Sequence, residues 1–113
     1  MTRAAQLTPV DALARLPGTA GERYCELFTH GSLSVEIYAP VGVDPQQPHD
    51  RDELYVVVAG NGRFLAGRDV FDFKPGDLLF VPAGMEHRFT DFSADFAVWV
   101  MFYGPVGGEA SAR

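Results

Sequence analysis

The chain carries three histidines, His30, His49 and His87, so any imidazole chemistry must draw on one of them. His30 lies in Thr29-His30-Gly31-Ser32, which reads as a turn between two extended runs, and a solvated polar side chain is the better account of it. His49 opens a different stretch, Pro48-His49-Asp50-Arg51-Asp52-Glu53, in which an imidazole precedes a carboxylate by four positions. Strand periodicity would point both side chains to one face. His87 follows Pro82-Ala83-Gly84, a turn that aims it into the next strand. Beyond Glu53 no side chain stands out as a general acid or base, since Glu86 adjoins a turn. The single cysteine, Cys25, cannot form an internal disulfide or a multi-thiolate site, and without activating neighbours its thiol reads as packing.

These groups are distant in sequence, so the elements between them must bring them together. Thr8 suits a helix N-cap, Pro9 the first helical position and Asp11 the positive end, while Val10, Leu13 and Leu16 recur as an apolar stripe. A short helix is therefore expected within residues 1–22, ended by Pro17-Gly18. From Arg23 the pattern changes to β-branched and aromatic runs separated by Gly, Pro, Asn and Asp. Eight runs are expected as strands: 23–29, 33–39, 53–59, 63–66, 69–73, 78–81, 87–92 and 96–103. Asn61-Gly62 suits a tight hairpin with positive φ, and Gly67 and Pro75-Gly76 give two further reversals. Eight short antiparallel strands in one domain bury their faces and protect their edges as a two-sheet jelly roll or small barrel spanning 23–103, with a loose Gly-rich tail over 104–113.

Composition narrows the partners. In 113 residues, 47% hydrophobic and 21% charged, there is enough apolar material for one core and none of the signature of disorder. A net charge of −6 with one lysine and dispersed arginines leaves no basic face for phosphate backbones, so nucleic acid is not an expected partner. No apolar run reaches the roughly 18 residues of a membrane helix, and residues 1–17 lack a secretory pattern, so a cytoplasmic protein without a membrane partner is expected.

Two stretches, Gly42 to Gly60 and Gly76 to Asp91, resemble the paired motifs of the cupin superfamily of small jelly rolls. The first motif sets a Gly before His-x-His, then a Glu after three or four residues and a Gly after six more. Here Gly42 stands five positions before Gln47, followed by Pro48, His49, Glu53 and Gly60. The second motif appears as Gly76, Pro82-Ala83-Gly84 and His87, with Asp91 where the family has Asn. The main departure is Gln47, which stands where the first His of the pair belongs.

The resemblance implies an all-β cupin barrel holding one divalent metal, iron, manganese, nickel or zinc, on His49, Glu53 and His87, with Gln47 as a weaker fourth donor. Two imidazoles and a carboxylate leave coordination positions open for water, oxygen or substrate. The opposing account is a metal-free pocket in which both histidines hydrogen-bond Glu53. Tyr55 shares the parity of Glu53 and could donate to a metal-bound ligand or serve as core. Arg51 and Arg88 could steer an anion but flank turns. The last strand is apolar on both faces, as are Leu54, Val56 and Val58 between the inward positions, so a helix or a second subunit must cover the outer face. A homodimer is expected. Two function classes follow: a metal-dependent enzyme on a small organic molecule, with a dioxygenase-type reaction foremost and isomerases or lyases on the same scaffold, or a non-catalytic small-molecule binding or sensing cupin.

Overall fold

The computed structural model describes residues 3–110. Thr8 is extended and its hydroxyl accepts from Asp11 N–H, so α1 (Pro9–Leu13) begins where Thr8, Pro9 and Asp11 predict. Its buried residue is Ala12, whereas Val10 is 78% exposed. The expected stripe fails because a five-residue helix is too short to present three successive apolar positions to one surface. No helix among the described residues is long and apolar enough to cross a membrane.

Eight strands follow, close to the expected boundaries: β1 (Tyr24–His30), β2 (Leu33–Tyr38), β3 (Asp52–Ala59), β4 (Gly62–Ala66), β5 (Asp69–Phe73), β6 (Leu78–Val81), β7 (His87–Thr90) and β8 (Ala97–Tyr103). They form two antiparallel sheets, a five-stranded one in the order β1-β2-β8-β3-β6 and a three-stranded one in the order β5-β4-β7. The fold is the expected all-β jelly roll with a short helix in front.

Among the described residues, consecutive strands pair directly at two places, β1–β2 around Gly31 and β4–β5 around Gly67. The hairpin expected at Asn61-Gly62 does not form, because β3 and β4 belong to different sheets and Gly60-Asn61 carries the chain across. Positive φ falls instead on Gly60, at 87°, where a Cβ would lie 2.6 Å from the backbone of Phe96. Pro75-Gly76 likewise links β5 to β6 across the sheets, and Gly76 N–H donates to Val57 O on β3 at 2.8 Å.

Alternation sets the inward faces. Tyr55 and Val57 on β3 and Val98 and Val100 on β8 are buried against Phe64, Phe73, Phe89 and Phe96. Phe89 lies 4.7 Å from Phe64, 4.7 Å from Phe96 and 4.9 Å from Tyr55, measured between ring centroids. Burying each such ring stabilises by about 1.5–3 kcal/mol, and the tilted and edge-on contacts add about 0.5–1.5 kcal/mol per pair. On the outer face α1 packs against β2, where Ile37 is fully covered, while Leu78 and Phe80 on the edge strand β6 stay exposed. The described part of the tail, expected to be loose, folds back: Gly107 N–H donates to Asp50 O and Glu109 N–H to Asp52 Oδ2.

Candidate metal centre

Glu53 is the first inward residue of β3 after Asp52 and is 1% exposed, flanked in register by Val81 of β6 and Phe102 of β8. His87 is the first residue of β7, in the other sheet, and is 6% exposed. Its Nδ1 lies 2.9 Å from Met85 O. A carbonyl only accepts, so Nδ1 carries the proton and Nε2 turns its lone pair toward Glu53, 3.3 Å from Oε1. His49 reaches the same point from the irregular segment before β3, its Nε2 3.9 Å from Glu53 Oε2. One ligating atom from each of the three lies within 4.8 Å of the others. Neighbouring ligand atoms at about 2.1 Å from one ion are about 3.0–3.4 Å apart, so the three side chains would draw together by up to about 1.5 Å around an ion, a movement within reach of small χ rotations.

Electrostatics give the centre its character. Glu53 Oε1, Glu53 Oε2 and His87 Nε2 are buried without a hydrogen-bond partner, since the short approach of His87 to Glu53 is badly aligned. Burial lowers the pKa of His87, but Glu53 and the Met85 carbonyl outweigh it and leave the imidazole above its ordinary value. The cluster therefore attracts positive charge, whether a proton or a cation. Tyr55 is fully buried and its phenol is held well above the usual range, first by burial and then by the charge of Glu53, so it remains a donor. That hydroxyl donates to Gln46 Oε1 at 3.0 Å.

The structure brings together His49, Glu53 and His87 with Tyr55 beside them, and leaves Gln47 outside the group. Gln47 is exposed and takes no part in the hydrogen bonds that hold the centre, whereas the amide of Gln46 reaches His49 and Tyr55. The parity that would align Gln47 with His49 does not apply, because residues 45–51 are not a strand. His30 ends β1 in an exposed position and has no part in the centre. Arg51 is anchored to Ser32 O and lies 5.7 Å from the centre of the Phe102 ring, while Arg88 is exposed.

Two cavities meet at the centre. The larger, about 410 Å³, is lined by Glu36, Tyr38, Gln46, His49, Glu53 and Phe102 among others. The smaller, about 280 Å³, includes His87 and Arg88, and both share Gln46 and Gln47. Sequence reasoning missed Glu36, whose carboxyl is raised by burial and then by Glu26 and Glu53, with Arg51 opposing. The cross-strand pairing of Glu26 with Glu36, two like charges facing each other, was the signal available.

Three backbone and side-chain ties set the loops. Gly84 N–H donates to His49 O at 2.7 Å, joining the turn before His87 to the segment that carries His49. Asp52 accepts from Glu109 N–H at 2.8 Å and from Ala83 N–H at 2.9 Å, and these donors hold its carboxyl below the usual carboxylate range. Asp44, 1% exposed, binds Tyr38, Gln46 and the backbone of Phe89.

A barrel of two antiparallel sheets with a His, Glu and His gathered inside agrees with the family comparison. The model of the cupin domain matches residues 34–103, and the chain belongs to the cupin family. An uncharacterized protein of Streptomyces coelicolor is 36% identical over 84 residues, 73% of this chain and 80% of that one. An acireductone dioxygenase of Leishmania major is 46% identical over 48 residues, 37% of this chain and 14% of the relative. A dimethylsulfoniopropionate lyase of Ruegeria pomeroyi is 31% identical over 80 residues, 68% of this chain and 40% of the relative. The chain thus spans less than half the length of the two relatives named for a reaction.

Proposed function

We propose that the protein is a metal-dependent enzyme acting on a small organic molecule, with His49, Glu53 and His87 as ligands of a divalent iron, manganese, nickel or zinc ion, and that its reaction is of the dioxygenase type. One observation carries this reading: three buried polar atoms of Glu53 and His87 face one another with no partner. A buried carboxylate left in that state costs several kcal/mol, and positive charge at that point removes the cost.

Bound there, the ion would supply Lewis acidity and open positions for small ligands. The chain supplies the rest. Val100 and Phe102 give the larger cavity apolar walls that limit water, and Tyr55 holds the Gln46 amide in place. Glu36 puts a second carboxyl on the cavity wall, in place to bind a polar group of the substrate. The likeness to an acireductone dioxygenase supports oxygen-dependent cleavage of an enol-type compound. The longer alignment with a dimethylsulfoniopropionate lyase favours elimination as a second reading. A sensing role without turnover is favoured by Gln47 in the place of the family's first His.

Metal analysis of protein purified without chelator tests the common part. About one ion per chain is expected, falling to a small fraction in His49→Ala, and unchanged content in that variant overturns the reading. Oxygen uptake with small enols and phenols, set against release of a volatile sulfide from a sulfonium compound, then separates the two reactions. Binding without either supports the sensor.

We further infer a homodimer through the outer face of the five-stranded sheet. Leu54 lies between Met101 and Phe80, and Val56 beside Leu78, in one outward apolar surface, while α1 packs on β2. A two-fold contact lets one such patch cover itself. Light scattering at micromolar concentration should give the dimer mass, with Phe80→Asp shifting it to the monomer. A monomeric wild type counts against the dimer.

A further inference from the structure

We propose that Gln46, set in place by Asp44, is the fourth donor of the metal centre. The inference rests on the reading that His49, Glu53 and His87 hold a metal, and it assigns a role to two residues outside that set.

The orientation of the Gln46 amide follows from its partners. Its Nε2 donates to Asp44 Oδ2 at 2.7 Å, and a carboxylate can only accept. Its Oε1 accepts from the Tyr55 hydroxyl at 3.0 Å. The amide is thereby fixed with nitrogen outward and oxygen toward the centre, and the second lone pair of that oxygen faces His49, where it takes either an Nε2–H of the metal-free imidazole or, once that nitrogen is deprotonated to ligate, the ion itself. Oε1 lies 3.3 Å from His49 Nε2. Neighbouring ligands of one ion at about 2.1 Å are about 3.0 Å apart in octahedral and about 3.4 Å apart in tetrahedral geometry, which brackets this separation.

Asp44 is built to do this. It is 1% exposed and takes four hydrogen bonds: from the Tyr38 hydroxyl at 2.5 Å, from Phe89 N–H at 2.9 Å, and from Gln46 through both its N–H and its Nε2. Phe89 follows His87 by two residues on β7, so this carboxylate ties the loop that carries Gln46 to the strand that carries His87. Such a neutral oxygen completes two imidazoles and one carboxylate without adding charge. Outer partners that orient a ligand are worth about 10–100-fold in metal affinity. Asp44 is thus a positioning residue.

Cobalt(II) titration of the metal-stripped protein, read by its visible absorption bands, tests the assignment. Gln46→Ala is expected to weaken cobalt binding at least tenfold and to alter the bands, while Gln47→Ala stays within twofold of wild type. Asp44→Asn should weaken binding by a smaller factor and add nothing in the Gln46→Ala background, since its effect passes through that amide. If Gln46→Ala binds cobalt as wild type does, or more tightly because His49 is released from a hydrogen bond, while His49→Ala loses it, the fourth donor is overturned and the three-residue centre stands. Equal losses in Gln46→Ala and Gln47→Ala also overturn it. A wild type that takes up no cobalt overturns both. Gln46 is a half-buried loop residue, so its alanine variant keeps the test open even where Asp44→Asn fails to fold.

Discussion

The two ends of the barrel interior are built on opposite terms. Along β3, Glu53, Tyr55 and Val57 all point inward, yet within four residues the surroundings pass from unpartnered polar atoms to close-packed rings. At the far end Phe64, Phe73 and Phe89 of the three-stranded sheet pack with Phe96, which precedes β8, and among the described residues none of the unpartnered buried side-chain atoms lies there. The near end holds a carboxylate and an imidazole that fit each other poorly. The aromatic end thus supplies the stability that lets the other end keep an arrangement unfavourable on its own.

Phe89→Ala should destabilise the protein most, because it removes the ring shared by four aromatic neighbours. A loss of about 3–5 kcal/mol in chemical denaturation is expected. Glu53→Gln should do the reverse to the metal-free protein: removing an unpaired buried charge is expected to raise its stability by about 1–3 kcal/mol while abolishing metal uptake. A destabilised Glu53→Gln would show that the polar end is not under strain.

At the polar end Asp52 responds to pH, since this carboxylate holds the turn before His87. Its pKa is depressed in the folded chain by Glu109 and Ala83 N–H, so its contribution is present above the unfolded value near 3.8 and is lost as pH falls through the folded one. The protection factors of the Ala83 and Glu109 amides, taken against the intrinsic exchange rate at each pH, should therefore fall in acid, and Asp52→Asn should remove that dependence. The smallest effect belongs to the outside: Arg63 pairs with Asp72 and Asp91 in full view of solvent, and Arg63→Ala should change the unfolding free energy in chemical denaturation by no more than the few tenths of a kcal/mol typical of exposed pairs.

Much of this was legible before any coordinates. All eight strands were visible because alternation and Gly or Pro boundaries are local, and the α1 start because Thr8, Pro9 and Asp11 act within one turn. His49, Glu53 and His87 came from motif spacing, which encodes a crossing between sheets that periodicity cannot show. Gln46 escaped because parity holds only in strands, and the chain turns irregularly through 45–51. Asp44 escaped because its burial depends on Tyr38 and Phe89, partners six and 45 positions away. Asn61-Gly62 misled for a related reason: a turn signal marks a bend without saying whether the next strand returns to the same sheet.

The place of β8 has a consequence for synthesis. It is the last strand in chain order, yet it lies between β2 and β3 in the middle of the larger sheet. A nascent chain whose Ala97–Tyr103 segment has not yet left the ribosome holds two separate ribbons, β1–β2 and β3–β6, with bare edges where β8 belongs. Closure then waits for pairings of high contact order, which form slowly and leave sticky edges open to neighbours in the meantime.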